Sequence, residues 1–231
     1  MPRLIFIETS TSLCSTALAE DGRIVCSRRS SEPRAHASLT AVFVKEMLDE
    51  AGWTVRNLDA VCVGKGPGSY TGLRVGVSTA KGLCFGGNLP LIAVDTLEIL
   101  ARQAIEAGLP EGCKAILPMV DARRMEVYTA VFSSTGERQT DISPVVLDET
   151  SFADLFASGP VAVIGDAAEK ASSVLCHSGR SKGTFVQCNP EASAMLAPAM
   201  AKFAKKEFED VAYFEPFYLK QFIATTPKKL F

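Results

Sequence analysis

Two carboxylates stand where chemistry could start. Glu8 closes the apolar run Leu4-Ile5-Phe6-Ile7, and Asp121 closes the apolar run Ala115–Val120. The two lie about half the chain apart, and each precedes a short polar turn and a further strand-like run, Ser15–Ala19 after Glu8 and Glu126–Phe132 after Asp121. Such spacing is that of a degenerate internal duplication, which would face two similar domains across a cleft with one carboxylate on each side. Two unrelated strand-terminal acids would give the same pattern. Arg123 and Glu126, in Asp121-Ala-Arg-Arg-Met-Glu-Val-Tyr128, join them as cleft candidates, and a structural ion-pair network would place the same charges beside an apolar strand.

A third chemical signal is Val61-Cys-Val-Gly-Lys-Gly-Pro-Gly-Ser-Tyr-Thr-Gly-Leu-Arg-Val-Gly76, an apolar strand entering a helix through a glycine-proline loop. Gly64, Gly66 and Gly68 permit a sharp turn and close approach, and Ser69 or Thr71 can cap the helix. A helix N-terminus offers free amide donors and partial positive charge, so the loop could cradle an anion; a tight connection that binds nothing explains it equally. It is neither a Walker A loop nor a dinucleotide fingerprint, since no Gly-Lys-Ser/Thr follows and Gly66, Gly68 and Gly72 are misspaced. The candidate cleft therefore comprises Glu8, Ser10, Gly66, Gly68, Ser69, Asp121, Arg123 and Glu126.

Metal and nucleophilic chemistry have little to build on. The two histidines, His36 and His177, lie far apart without acids at ligand spacing, and Cys176-His177 are adjacent and would diverge in a strand. Seven cysteines, an odd number without a Cys-x-x-Cys pair, argue against a disulfide scaffold and fit the reducing cytoplasm. Cys62 and Cys84 sit inside apolar segments, as small core hydrophobes do. A net charge of −2 provides no global field for nucleic acid or anionic lipid, and no apolar run reaches membrane-spanning length. The basic clusters Arg28-Arg29, Lys202 with Lys205-Lys206, and Lys228-Lys229 are small enough to be solvated surface.

The elements that must position these residues follow from periodicity. Strands are expected at Leu4–Ile7, Ser15–Ala19, Arg23–Ser27, Ala60–Val63 and Leu91–Val94, with helices over 36–51, 71–86 and 95–106. After Gly108-Leu-Pro-Glu-Gly112 the pattern restarts with Ala115–Val120, Glu126–Phe132 and Val161–Ile164, then a helix over 191–207 and an extended tail opening at Pro216-Phe-Tyr-Leu219. Strands alternating with helices argue for mixed sheets covered by helices.

Two helices carry a second kind of signal. Gly72, Gly76, Ala80 and Cys84 recur every four residues, a ridge of small side chains that lets a backbone approach closely. Each helical glycine costs about 1 kcal/mol relative to alanine, so the ridge must serve a neighbour: the domain's own sheet or a helix of another subunit. The helix over 36–51 is apolar well beyond a one-sided stripe, so one face can cover the sheet while Phe43 and Met47 meet something else.

Taken together, Glu8-Thr-Ser-Thr-Ser, Gly64–Gly76 and Asp121–Tyr128 resemble the bacterial TsaB (YeaZ) family in order, spacing and total length. The resemblance implies an α/β chain of the actin-like ATPase (ASKHA) fold, two duplicated ribonuclease-H-like domains of mixed sheets covered by helices. The boundary is expected near 108, with an N-terminal domain over 1–108 completed by the C-terminal tail and a smaller degenerate domain over 109–231. It implies a cytoplasmic, non-catalytic subunit of the complex that installs threonylcarbamoyl on the tRNA adenosine beside the anticodon. Such a subunit binds and supports the catalytic TsaD, with the ATPase TsaE joining, tRNA met only through the complex, and a homodimer when the partner is absent. Interfaces of the family use the two N-terminal-domain helices, which assigns Leu39, Phe43, Met47, Gly72, Val75, Gly76, Thr79 and Ala80 to the partner face. On this expectation a bulky residue at Gly76 weakens the complex and spares the fold. No metal, no catalytic residue and no intrinsic cofactor are implied, a nucleotide at most at the complex interface. The catalytic relative carries a His-x-x-x-His pair where this chain reads Val94-Asp-Thr-Leu-Glu-Ile-Leu100, and Glu8 stands where the ATP-using enzymes have Asp. The competing reading is a small-molecule phosphotransferase or ATPase of the acetate and sugar kinase fold, with Glu8 and Asp121 around a magnesium nucleotide.

Overall fold

Strand β1 (Arg3–Glu8) sends Leu4 and Phe6 to one face and Ile5 and Ile7 to the other, the period of two of a pleated strand. All four are fully buried because apolar layers cover both faces of the sheet. β2 (Cys14–Glu20) and β3 (Arg23–Ser30) join as antiparallel neighbours. Helix α1 (His36–Ala51) then leads to β4 (Ala60–Gly66), helix α2 (Tyr70–Gly87) and β5 (Leu91–Asp95), both strands parallel to β1. The sheet order is β3-β2-β1-β4-β5. In the computed structural model, residues 1–176 and 183–219 are described. His177, Lys228-Lys229 and the tail beyond Leu219 lie outside them.

The second sheet repeats the plan. β6 (Ala115–Asp121) takes the place of β1, with β7 (Glu126–Thr129) antiparallel beside it. β8 (Phe132–Ser133) also pairs β6, and β9 (Ser143–Val146) pairs β7 antiparallel. Helix α4 (Ala153–Ser158) precedes β10 (Val161–Gly165), which runs parallel to β6. Helix α5 (Ala168–Leu175) and β11 (Gly183–Gln187) follow, β11 parallel to β10. The order β11-β10-β6-β7-β9 is that of the first sheet read from its other edge, with the same parallel and antiparallel neighbours. The two-acid spacing thus marks a true duplication. The chain has the expected α/β architecture of two like mixed sheets covered by helices.

Helix α3 (Thr96–Ala107) joins the halves, because Ile99 enters the core of the first sheet while Leu97, Leu100, Ala101 and Ala104 enter that of the second. A turn over Ala192–Met195 and helix α6 (Leu196–Lys205) return to the first sheet, where Met195 and Ala199 pack with Leu4 and Phe6. Each of the leucine, isoleucine, methionine and phenylalanine side chains so removed from water contributes about 1.5–3 kcal/mol. Among the described residues the cysteines are free, and no helix is long and apolar enough to cross a membrane.

Two expected elements differ in form. The strand over Glu126–Phe132 breaks after Thr129, because Val131 turns its amide to Thr140 Oγ1 (2.9 Å) and its carbonyl to the amide of Gln139 (2.8 Å). The helix over 191–207 begins as the tighter turn at 192–195 and is α-helical only from Leu196, with Pro198 in its first turn, where a missing N–H costs nothing. The clusters Arg28-Arg29 and Lys202 are engaged: Arg28 pairs with Glu46 and Glu50, Arg29 with Glu191 (2.7 Å), and Lys202 Nζ donates to the Ala93 carbonyl (2.6 Å).

Candidate functional site

The ends of β1 and β6 open onto one cleft of about 1430 Å³. On the first-sheet side the chain leaves β1 through Thr9–Ser12 and is wedged against the start of α2. The amide of Ser69 donates to the Ser10 carbonyl (2.6 Å), and Thr9 Oγ1 donates to the Gly72 carbonyl (2.8 Å). A Cβ at Gly68 would stand 2.2 Å from the Ser10 carbonyl oxygen, and one at Gly72 would stand 2.0 Å from that of Thr9. These glycines are therefore required by backbone contact within the chain. Ser69 caps α2, its Oγ accepting from the Gly72 amide at 3.3 Å. Ser10 and Thr11 are buried, the Ser10 side chain bonded to the Glu8 carboxyl and the Thr11 hydroxyl without a partner. His36, at the start of α1, meets the Thr11 carbonyl through Nε2 at 3.0 Å.

Glu8 does not face this cleft. Its side chain is wholly buried and turned toward β4, where Oε1 accepts from the Ser10 amide (2.6 Å) and Oε2 occupies the space a Cβ on Gly64 would fill. Burial outweighs the bonds from Ser10 and pushes its pKa up to about 7. Gly66 also departs from the expected set, lying buried against Leu73 and the Phe217 carbonyl rather than in the cleft. Ser10, Gly68, Ser69, Asp121, Arg123 and Glu126 do share the cleft wall. The phosphotransferase arrangement, in which Glu8 and Asp121 face each other around a metal nucleotide, thus lacks its first carboxylate.

The second-sheet side holds its acid in the open. Asp121 Oδ1 accepts from Lys170 Nζ (2.5 Å) and from the Arg123 amide (2.8 Å), and the Asp121 amide donates to Asp166 Oδ1 (2.8 Å). Lys170 also bonds the carbonyls of Arg124 (3.0 Å) and Glu126 (2.8 Å), tying down a turn in which Arg123 and Arg124 both take left-handed backbone angles. Desolvation, with the nearby charge of Asp121 adding to it, pushes Asp166 up to about 6. Asp166, Lys170, Thr11, Arg34 and Tyr218 were not among the expected site residues. The duplication could have located Asp166, since it follows β10, the parallel neighbour of β6, as the glycine loop follows β4, the parallel neighbour of β1.

The expected partner face needs the larger revision. Gly72, Gly76, Ala80 and Cys84 point into the chain's own core, and a Cβ at Gly76 would stand 2.2 Å from Thr9 Oγ1. Met47 is likewise fully buried and receives the Thr16 hydroxyl on its sulfur at 3.7 Å. These residues hold α1 and α2 on the sheet and are unavailable to a partner. Leu39, Phe43, Val75 and Thr79 are half-buried at the border of the outer surface. That surface adds Val42, Ser78, Gly82, Phe85 and Gly86, of which Phe85 is 89% exposed. No atom lies within 4 Å of the Cβ position of Gly82 or Gly86.

Comparison with known proteins agrees with this architecture. The family model described as "TsaD: tRNA N6-adenosine threonylcarbamoyltransferase" matches residues 28–228. The chain is 30% identical over 234 residues to the tRNA threonylcarbamoyladenosine biosynthesis protein TsaB of Escherichia coli, covering 96% of each chain. It is 32% identical over 130 residues to the protein of that name from Bacillus subtilis, 56% of this chain and 54% of that one. The solved structure of YeaZ from Pseudomonas aeruginosa superposes with a TM-score of 0.80 at 28% identity, over 95% of this chain and all of that one. The chain belongs to the TsaB (YeaZ) family of tRNA threonylcarbamoyladenosine biosynthesis proteins.

Proposed function

We propose that this TsaB-family chain is a non-catalytic, cytoplasmic subunit that binds a TsaD-type catalytic subunit through the outer face of α1 and α2. One observation carries the reading: Gly82 and Gly86 lie inside α2, face outward and touch nothing, beside the exposed Phe85. An intrahelical glycine costs about 1 kcal/mol relative to alanine, and here the fold returns nothing for it. A helix laid across the Ser78, Gly82 and Gly86 stripe would approach the backbone closely and cover Phe85, Val42 and the edge of Phe43.

The match to the TsaD family model supports the partner's identity. Two chains of one fold can present the same helix pair to each other, and a second copy of this chain could use the face when the partner is absent. The turned-in carboxyl of Glu8 supports a role without phosphoryl chemistry. A TsaE-type ATPase and tRNA would then meet the assembly rather than this chain alone. Co-purification with the TsaD-type subunit, followed by a tRNA modification assay with and without this chain, tests the reading. Stable co-elution and modification that requires the chain are expected; full modification in its absence would refute it.

A further inference from the structure

Two stretches carry the backbone between the halves: helix α3, and the return from β11 through Cys188–Glu191 to the turn at Ala192. They lean on each other, Gln103 of α3 accepting the Glu191 amide (2.8 Å) and donating to the Asn189 carbonyl (3.1 Å). The pair of Arg138 with Asp95, 3.5 Å apart, also spans the halves, but water screens it. Two domains joined through such crossings form a hinge, and motion of one against the other is the default for them.

A third crossing changes that. After α6 the chain meets the outer edge of the first sheet, where the Glu209 amide donates to the Leu91 carbonyl (2.8 Å). A single turn follows, its start held by Asp210 Oδ1, which accepts the amides of Ala212 (2.8 Å) and Tyr213 (3.2 Å). Val211 and Phe214 pack from this turn onto the apolar layer that α1 and α2 cover. Lys81 of α2 clasps it from the other side, Nζ donating to the carbonyls of Ala212 (3.0 Å) and Phe214 (3.1 Å). The chain then reaches the end of β4, where the Phe217 amide donates to the Lys65 carbonyl (2.7 Å) and the Tyr218 ring stands 4.9 Å from that of Tyr70. Leu219 leaves the first half and packs against the apolar cluster of the second, the one that holds Val120, Tyr128 and Ile164.

We propose that Glu209–Leu219 is a strap that bolts the two halves at one angle, clasped by Lys81 on the first and anchored by Leu219 on the second. One residue, Tyr218, separates the amide held by Lys65 from the anchor at Leu219, so the strap has no slack. The halves cannot part or close by a hinge motion without breaking one of its ends. A chain so fastened presents the cleft and the helix pair as one rigid body. The strap goes beyond the partner reading, and its test on the chain alone does not depend on it.

Amide hydrogen exchange of the full chain, in wild type, Leu219→Asp, Lys81→Met and the double variant, tests the proposal. Leu219→Asp puts a charge into the apolar seat and should speed exchange of the Phe217 amide and of the Glu191 amide at the crossing by about tenfold or more. Lys81→Met acts on the first half and should speed the same two amides by a smaller factor. Because either change frees one strap, the double variant should exchange at Glu191 little faster than Leu219→Asp, short of the product of the two factors. The amides of β6 should keep wild-type protection throughout, which separates release of the halves from unfolding of the second sheet. Wild-type exchange at Glu191 in either single variant, factors that multiply in the double variant, or loss of protection that spreads through β6 would overturn the strap.

Discussion

Glu8 and Asp121 end the first strand of two sheets that share one topology, yet the first is sealed in the core and the second stands in the open with Lys170. Their parallel neighbours, β4 and β10, show how. Gly64 gives up its side-chain volume to the Glu8 carboxyl, whereas Gly165, at φ +133°, gives it up to the Met119 carbonyl. A duplicated backbone therefore keeps its strand order while the side chains at its working ends take opposite roles: one acid becomes a packing element, the other an anchor for a turn. A similar division runs through α2, whose inward glycines touch Thr9 and whose outward glycines touch nothing.

The inward and outward glycines give the largest expected contrast. Gly72→Val or Gly76→Leu drives a side chain into Thr9 and should cost about 3 kcal/mol or more, read as a lost or sharply lowered thermal transition. This reverses the expectation that a bulky residue at Gly76 spares the fold. A transition for Gly76→Leu equal to wild type would break the division.

Glu8 carries the next effect, a pH response. With the folded pKa of Glu8 near 7 against an ordinary 4.5, the folded state holds its proton over a range where the unfolded state releases it. Stability present at and below pH 4.5 is therefore lost as pH rises toward 7, by up to about 3 kcal/mol. Denaturant titrations of wild type and Glu8→Gln across that range should show the slope only in wild type beyond what both share. Asp166, raised from 3.8 to about 6, adds a smaller loss in the same direction that Asp166→Asn removes.

Smaller effects sharpen the comparison further. Lys170→Met frees Asp121 and the carbonyls of Arg124 and Glu126, and should cost about 1 kcal/mol while leaving the first sheet's amide-exchange protection intact. Gly82→Ala meets open space and should raise stability by about 0.5–1 kcal/mol, the opposite sign to Gly72.

Much of this was legible in the residues, because long elements advertise themselves. The bounds of α1 follow directly from its apolar period, and β1 and β6 from their uninterrupted apolar runs. β9, α4, α5 and β11 escape such reading: each has four to eight residues, too few for a period, and β9 and β11 are exposed edges, β9 carrying Pro144. Site residues at the strand ends were readable as types but not as directions. Nothing in Leu4–Glu8 tells that the last carboxyl folds back under a glycine 56 residues later, and nothing in a four-residue glycine spacing tells which side of α2 meets the sheet. The outer pair, Gly82 and Gly86, has that same spacing and was overlooked beside the longer inner ridge.

The most direct test of the account is the affinity of the TsaD-type subunit for wild type and for Phe85→Asp, measured by titration calorimetry alongside the melting temperature of each. Phe85 is 89% exposed, so its replacement should leave the melting temperature unchanged. The outer face predicts at least about a hundredfold loss of affinity, the scale of burying a charge where an aromatic anchor belongs. Equal affinity for the two proteins would contradict it.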